Sequence, residues 1–116
     1  MTLPEPERRR HDRVPMLTDL TIEDLCTGQS CPGRSINISR GGIGFYSAKF
    51  LPVGNDVRIT IHLTRNGQSY WTQVHARVGR SSVETRGTTI GALFDPELTP
   101  ATQPILCNLI DDKLGQ

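Results

Sequence analysis

Aromatic side chains are scarce in this sequence: one Trp, two Tyr and three Phe make up 5% of it. Small barrels that bind single-stranded nucleic acid line their grooves with exposed rings and basic side chains. The basic surplus is missing too, since 13 Lys and Arg stand against 12 Asp and Glu for a formal charge of +1. So weak a global field draws in neither a polyanion nor an acidic membrane. No apolar run approaches the roughly 18 residues of a spanning helix, and no signal-peptide core follows the start. A cytoplasmic protein without membrane insertion is expected. Cysteine is rare as well. Cys26, Cys31 and Cys107 have no metal-like spacing with each other or with His11, His62 and His75, so reduced thiols and no metal site are expected. Nor is there a G-x-S-x-G elbow, a P-loop or a Cys–His pair with a positioned third group, and no enzyme is expected.

What the chain does have is turns. Eleven Gly and eight Pro punctuate 116 residues, enough for one domain. Met16 to Leu25 reads as a first strand and Cys31 to Ile38 as its return. Gly41-Gly42 then bends the chain so that Ile43, Phe45 and Ser47 share one face and Gly44 and Tyr46 the other. Val57, Ile59, Ile61 and Leu63 alternate with Arg58, Thr60, His62 and Thr64, the clearest strand present. Asn66-Gly67 signals a hairpin turn, with the return over Tyr70 to Val78 and a last strand over Thr88 to Phe94. Trp71 is expected as part of a barrel end, with an exposed stacking platform as the alternative, and Arg77 on the outer wall. Thr99-Pro100 suits a helix start, with Thr99 as N-cap, Pro100 in first position and Pro104 in the first turn. Ile105, Leu106, Leu109 and Ile110 give that helix one apolar stripe. Asp111-Asp112 reads as its solvated end. Short antiparallel strands at even spacing argue for a closed or sandwich-like all-β architecture.

Two polar signals stand out against this background. Residues 1–13 carry four arginines, three acids and almost no apolar residue, a segment expected to be mobile without a ligand. Within it Arg9 and Arg13 lie four apart. Asn37-Ile38-Ser39-Arg40-Gly41-Gly42 lies between two strand-like runs, with Asn37 and Ser39 on one strand face by the period of two. Guanidinium groups grip phosphate and the O6/N7 edge of guanine in bidentate fashion, and glycine lets backbone and ligand approach closely. A small anionic ligand rich in guanine would use both signals. Against this stand a solvated charged tail, a structural turn capped by its own side chains, and, for Arg40, a solvated loop residue.

Arg9-x-x-x-Arg13 followed by Asn37-x-Ser39-x-x-Gly42 resembles the PilZ domain, a bacterial receptor module for the second messenger cyclic di-GMP, over Glu7 to about Ile110. The resemblance implies a six- or seven-stranded antiparallel barrel over 14–112, with a C-terminal helix over one opening and a short tail over 113–116. It assigns Arg9 and Arg13 to base and phosphate, and Asn37 and Ser39 to guanine edges or a phosphate oxygen. Gly42 would leave room for the ligand. Family members carry Asp or Asn at the first of these positions, and Asn37 lacks the charge of Asp. Arg8, directly before the two-arginine motif, implies an intercalated dimer of the nucleotide, and Arg77 is a further candidate contact from the barrel wall. Output would pass to an unidentified protein partner. A member of this fold that binds protein and no nucleotide, in pilus or motility machinery, is the alternative.

Overall fold

The computed structural model describes residues 12–115. The mobile arm expected over residues 1–13 lies outside them, apart from Asp12 and Arg13. Among the described residues seven antiparallel strands precede one helix: β1 (Val14–Pro15), β2 (Asp19–Asp24), β3 (Ser30–Ile38), β4 (Gly42–Ser47), β5 (Asp56–Arg65), β6 (Gln68–Glu84), β7 (Gly87–Phe94) and α1 (Pro104–Leu114). Pairing runs β3–β2–β5–β6–β7–β4 and returns from β4 to β3, so six strands close on themselves. Closure removes the exposed edges that an open sheet would leave. The short β1 lies outside the ring, on the end of β3. This is the barrel that the resemblance implied.

Alternation decides which side chains fill it. Val57, Ile59 and Ile61 on β5 are fully buried, as are Ile22, Ile38, Phe45, Ala76, Val78 and Ile90 from the strands around it. Burying each large side chain contributes about 1.5–3 kcal/mol. Ile43, Phe45 and Ser47 point inward from β4 while Tyr46 faces out, the expected division. Asn66 (φ +54°) and Gly67 (φ +77°) make the β5–β6 turn with both residues left-handed, which matches the twist of a hairpin.

Three elements depart from the sequence reading. The first strand, expected from Met16, starts only at Asp19 and a separate two-residue β1 precedes it, because the Ser35 side chain takes over backbone duties between them. Its hydroxyl donates to Met16 O (2.6 Å) and accepts from Thr18 N (2.9 Å), and the serine is fully buried. Strand β6 does not stop at Val78. It pairs with β5 through Arg77, then passes a bulge at Gly79 and follows β7 to Glu84, turning the barrel's corner. The helix begins at Pro104, with Gln103 in the cap position, not at Pro100. Thr99 does cap a turn, since Thr102 N donates to its Oγ1 (3.2 Å). That turn cannot propagate, because in a helix starting at Pro100 the absent N–H of Pro104 would be needed by the carbonyl of Pro100.

Helix α1 buries Leu106, Cys107 and Ile110, with Ile105 and Leu109 partly covered. Gln103 ties its start to β6: Oε1 accepts from Thr72 Oγ1 (2.8 Å) and Nε2 donates to Gln73 O (3.2 Å). Asp111 and Asp112 are not merely solvated, for they bind Arg40 and Arg65. The helix is thereby fixed to the β3–β4 loop and the β5–β6 hairpin. Trp71 corrects another expectation. Tyr70 takes the inward place beside the core, which leaves Trp71 exposed opposite His62 on the outer face.

Candidate functional site

The Asn37–Gly42 segment joins β3 to β4, and its conformation is set by its own side chains. Ser39 is buried, and its Oγ accepts from the backbone N–H of Gly41 (3.1 Å) and of Gly42 (3.2 Å). Ser39 N donates to Gly42 O (2.9 Å), closing the turn. Gly41 O accepts from Phe94 N and Arg40 O from Leu98 N, which anchors the loop to the chain after β7. Arg40 Nη2 donates to both carboxylate oxygens of Asp111, at 2.9 and 3.1 Å. The loop is therefore held from three sides, and Arg40 is a strut to the helix, not the solvated loop residue expected of it.

Gly42 has a structural reason to be glycine. A Cβ there would lie 2.5 Å from the carbonyl oxygen of Ala92 on the neighbouring strand, closer than real Cβ contacts come. The barrel's own backbone thus requires a glycine here independently of any ligand.

The outer face between β3 and β6 shows more. One lateral row crosses four strands in register: Asn37, Gly44, Gly91 and Arg80. Bulges at both ends of the row aim the end residues outward. The first lies between Ser35 and Asn37, the second between Val78 and Arg80. Bulges that re-aim side chains are frequent beside functional sites. With two glycines in the middle the row has no side chains of its own there. Asn37 folds over Gly44, its Oδ1 standing 2.8 Å from where a Cβ would be. That Oδ1 is buried and is the only such side-chain atom without a hydrogen-bond partner among the described residues. Buried polar atoms are nearly always satisfied, so an orphan of this kind calls for an explanation. At the other end the Arg80 side chain passes over Gly91, at van der Waals distance from where a Cβ would be. Two positions further along β4, Tyr46 opens an outer recess of about 590 Å³ that it lines with Glu84, Thr85, Arg86 and Gly87.

Backbone pairing brings Arg13 to this face. Val14 pairs with Ile38 and Pro15 with Asn37, so Arg13 enters the outer strand at the level of Ser39 and is exposed. Arg8 and Arg9 lie outside the described residues. Arg77 faces outward on the next row, separated from Gly42 by Leu93 and held by Asp56 (Nε to Oδ1, 3.2 Å). The sequence reading singled out Arg77 and passed over Gly44, Gly91 and Arg80. The signal for Arg80 was there: continuing the inward alternation of Val74, Ala76 and Val78 would bury it, and Gly79 marks where the phase slips. Cys107, behind the Arg40–Asp111 pair, is a core residue whose thiol burial pushes up, against a smaller lowering by Arg40.

A closed six-stranded antiparallel barrel, an added outer strand and a terminal helix bound to the β3–β4 loop define the class of domain. The PilZ domain family model matches residues 7–111, and the chain belongs to that family. Solved structures agree in fold. The Bacillus subtilis inhibitor of motility MotI (DgrA) superposes with a TM-score of 0.72 at 22% identity, over 94% of this chain and 53% of that one. The PilZ domain of Escherichia coli YcgR, solved with c-di-GMP, gives 0.65 at 17% identity over 91% of each chain. The longer YcgR structure in complex with c-di-GMP gives 0.69 at 20% identity, over 90% of this chain and 45% of that one. The chain thus spans about half the length of MotI and of the longer YcgR chain. No curated protein matches it at a significant level.

Proposed function

We propose that this PilZ domain is a cyclic di-GMP receptor that takes the nucleotide on the outer face of the barrel, between the basic lead-in and the Asn37–Gly42 segment. The observation that carries the reading is the orphaned Asn37 Oδ1 beside Gly44, close in register to Arg13. An amide acceptor there suits a guanine N–H, and a guanidinium beside it suits the phosphodiester or the O6/N7 edge. Arg9 and Arg13 clamp the ligand, and Asn37 meets a guanine edge. Ser39 contributes chiefly by fixing the turn, with its hydroxyl hydrogen free to reach a phosphate. Gly42 contributes its backbone. Arg77 serves at the rim. Arg8 supports an intercalated nucleotide pair. The domain acts as a receptor and adaptor, not a catalyst, and passes its signal to a protein partner.

Calorimetric titration tests this directly. Cyclic di-GMP should bind with two nucleotides per chain, and cyclic di-AMP, which lacks the O6 acceptor and the N2 donor, should bind far more weakly. Equal binding of the two, or none of either, would overturn the reading. One nucleotide per chain would remove the dimer alone.

A further inference from the structure

Arg80 is the guanidinium whose surroundings the rest of the fold does not explain. Five other arginines of the barrel are engaged: Arg34 with Asp19, Arg40 with Asp111, Arg58 with Glu23, Arg65 with Asp112 and Arg77 with Asp56, while Arg86 sits in the β6–β7 turn, off the Asn37–Arg80 row. Arg80 has no acidic partner among the described residues. It is on the outer face only because β6 carries a bulge between Val78 and Arg80, which spoils a regular ladder. Yet its side chain is not extended into water. A Cβ built on Gly91 would meet Arg80 Cβ at 3.7 Å, Nε at 3.8 Å and Nη2 at 3.9 Å. Three points of the side chain at nearly one distance from that position mean that it curves over Gly91, its cross-strand neighbour, which has no side chain to displace it. At the far end of the same row, about 14 Å away by three strand spacings, Asn37 lies over Gly44 in the same manner.

We propose that Arg80 is a specificity-determining contact of the nucleotide site: a flat cationic platform on which a guanine base stacks. The inference rests on the cyclic di-GMP reading and deepens it. A guanidinium turned over a glycine on the barrel wall presents its open face outward, which favours stacking on an electron-rich ring over end-on pairing. Its charge also adds attraction for the phosphodiesters at no cost in a broken ion pair. Arg77, on the next row, has its charge already taken up by Asp56.

The test is titration of cyclic di-GMP into the wild-type chain and into Arg80→Ala, Arg80→Lys and Arg80→Tyr, with thermal unfolding of each. An exposed, unpaired side chain should leave the melting temperature of every variant near the wild type. Stacking predicts that Arg80→Ala and Arg80→Lys each weaken binding roughly tenfold, within the range of a desolvated cation–π contact. Arg80→Tyr should recover part of the loss by supplying a plane. Wild-type affinity in Arg80→Ala would overturn the proposal while leaving the receptor reading intact. Wild-type affinity in Arg80→Lys would show a point charge, not a platform. A wild-type chain that binds no cyclic di-GMP would defeat both.

Discussion

Replacing Gly42 by alanine separates two reasons for a glycine in the second motif. If the residue is small to admit a ligand, Gly42→Ala should cost affinity and leave the empty protein as stable as before. The geometry says otherwise. The new methyl would stand 2.5 Å from the Ala92 carbonyl oxygen, a backbone atom within the β4–β7 ladder that cannot swing aside. Overpacking of this kind costs about 1–3 kcal/mol. For a domain near 100 residues each kcal/mol moves the melting temperature by roughly 4–8 °C, so the ligand-free variant should melt about 4–24 °C below the wild type. Gly44→Ala is the control. Its methyl would meet the amide end of Asn37, Oδ1 nearest at 2.8 Å, the far end of a side chain that can rotate. It should cost under about 1 kcal/mol while pushing the amide off the site and weakening cyclic di-GMP binding. Thermal unfolding followed by circular dichroism, with and without nucleotide, reads both variants. An unchanged melting temperature in Gly42→Ala would refute the packing argument.

Ser35→Ala should destabilise the barrel by about 1–3 kcal/mol, because it leaves Met16 O and Thr18 N short of a buried partner. A lower urea midpoint at unchanged slope is the expected signature, and an unshifted midpoint would contradict it. Asp111→Asn breaks an ion pair whose side chains are 32% and 53% exposed, so its effect on global stability should stay within about 1 kcal/mol. Amide exchange in the last turn of α1 should nevertheless quicken, and unchanged protection there would show that the Arg40 strut holds nothing.

The parts of this fold set by local chemistry were legible in the residues. Strand β5 and its Asn66-Gly67 turn follow from strict alternation and from two residues that tolerate positive φ. What escaped depends on partners distant in sequence. The break between β1 and β2 comes from Ser35, some 17 residues on. The late helix start comes from Gln103 binding β6 and from a proline whose missing N–H matters only once the register is known. The site divides in the same way. Asn37, Ser39 and Gly42 could be picked out as a motif, but their inner work, turn closure by Ser39 and backbone contact at Gly42, appears only with β7 alongside. Gly44, Gly91 and Arg80 fall on one row through strand register and two bulges, so no short stretch of sequence contains them together.

The central claim is that a guanine nucleotide occupies this outer face, and backbone amide shifts on isotope-labelled protein test it most directly. With cyclic di-GMP in excess, the amides of Asn37, Gly41, Gly44, Arg80 and Gly91 should move together, while those of Trp71 and His62 stay in place. Unmoved amides along the Asn37–Arg80 row at saturating nucleotide would contradict the account.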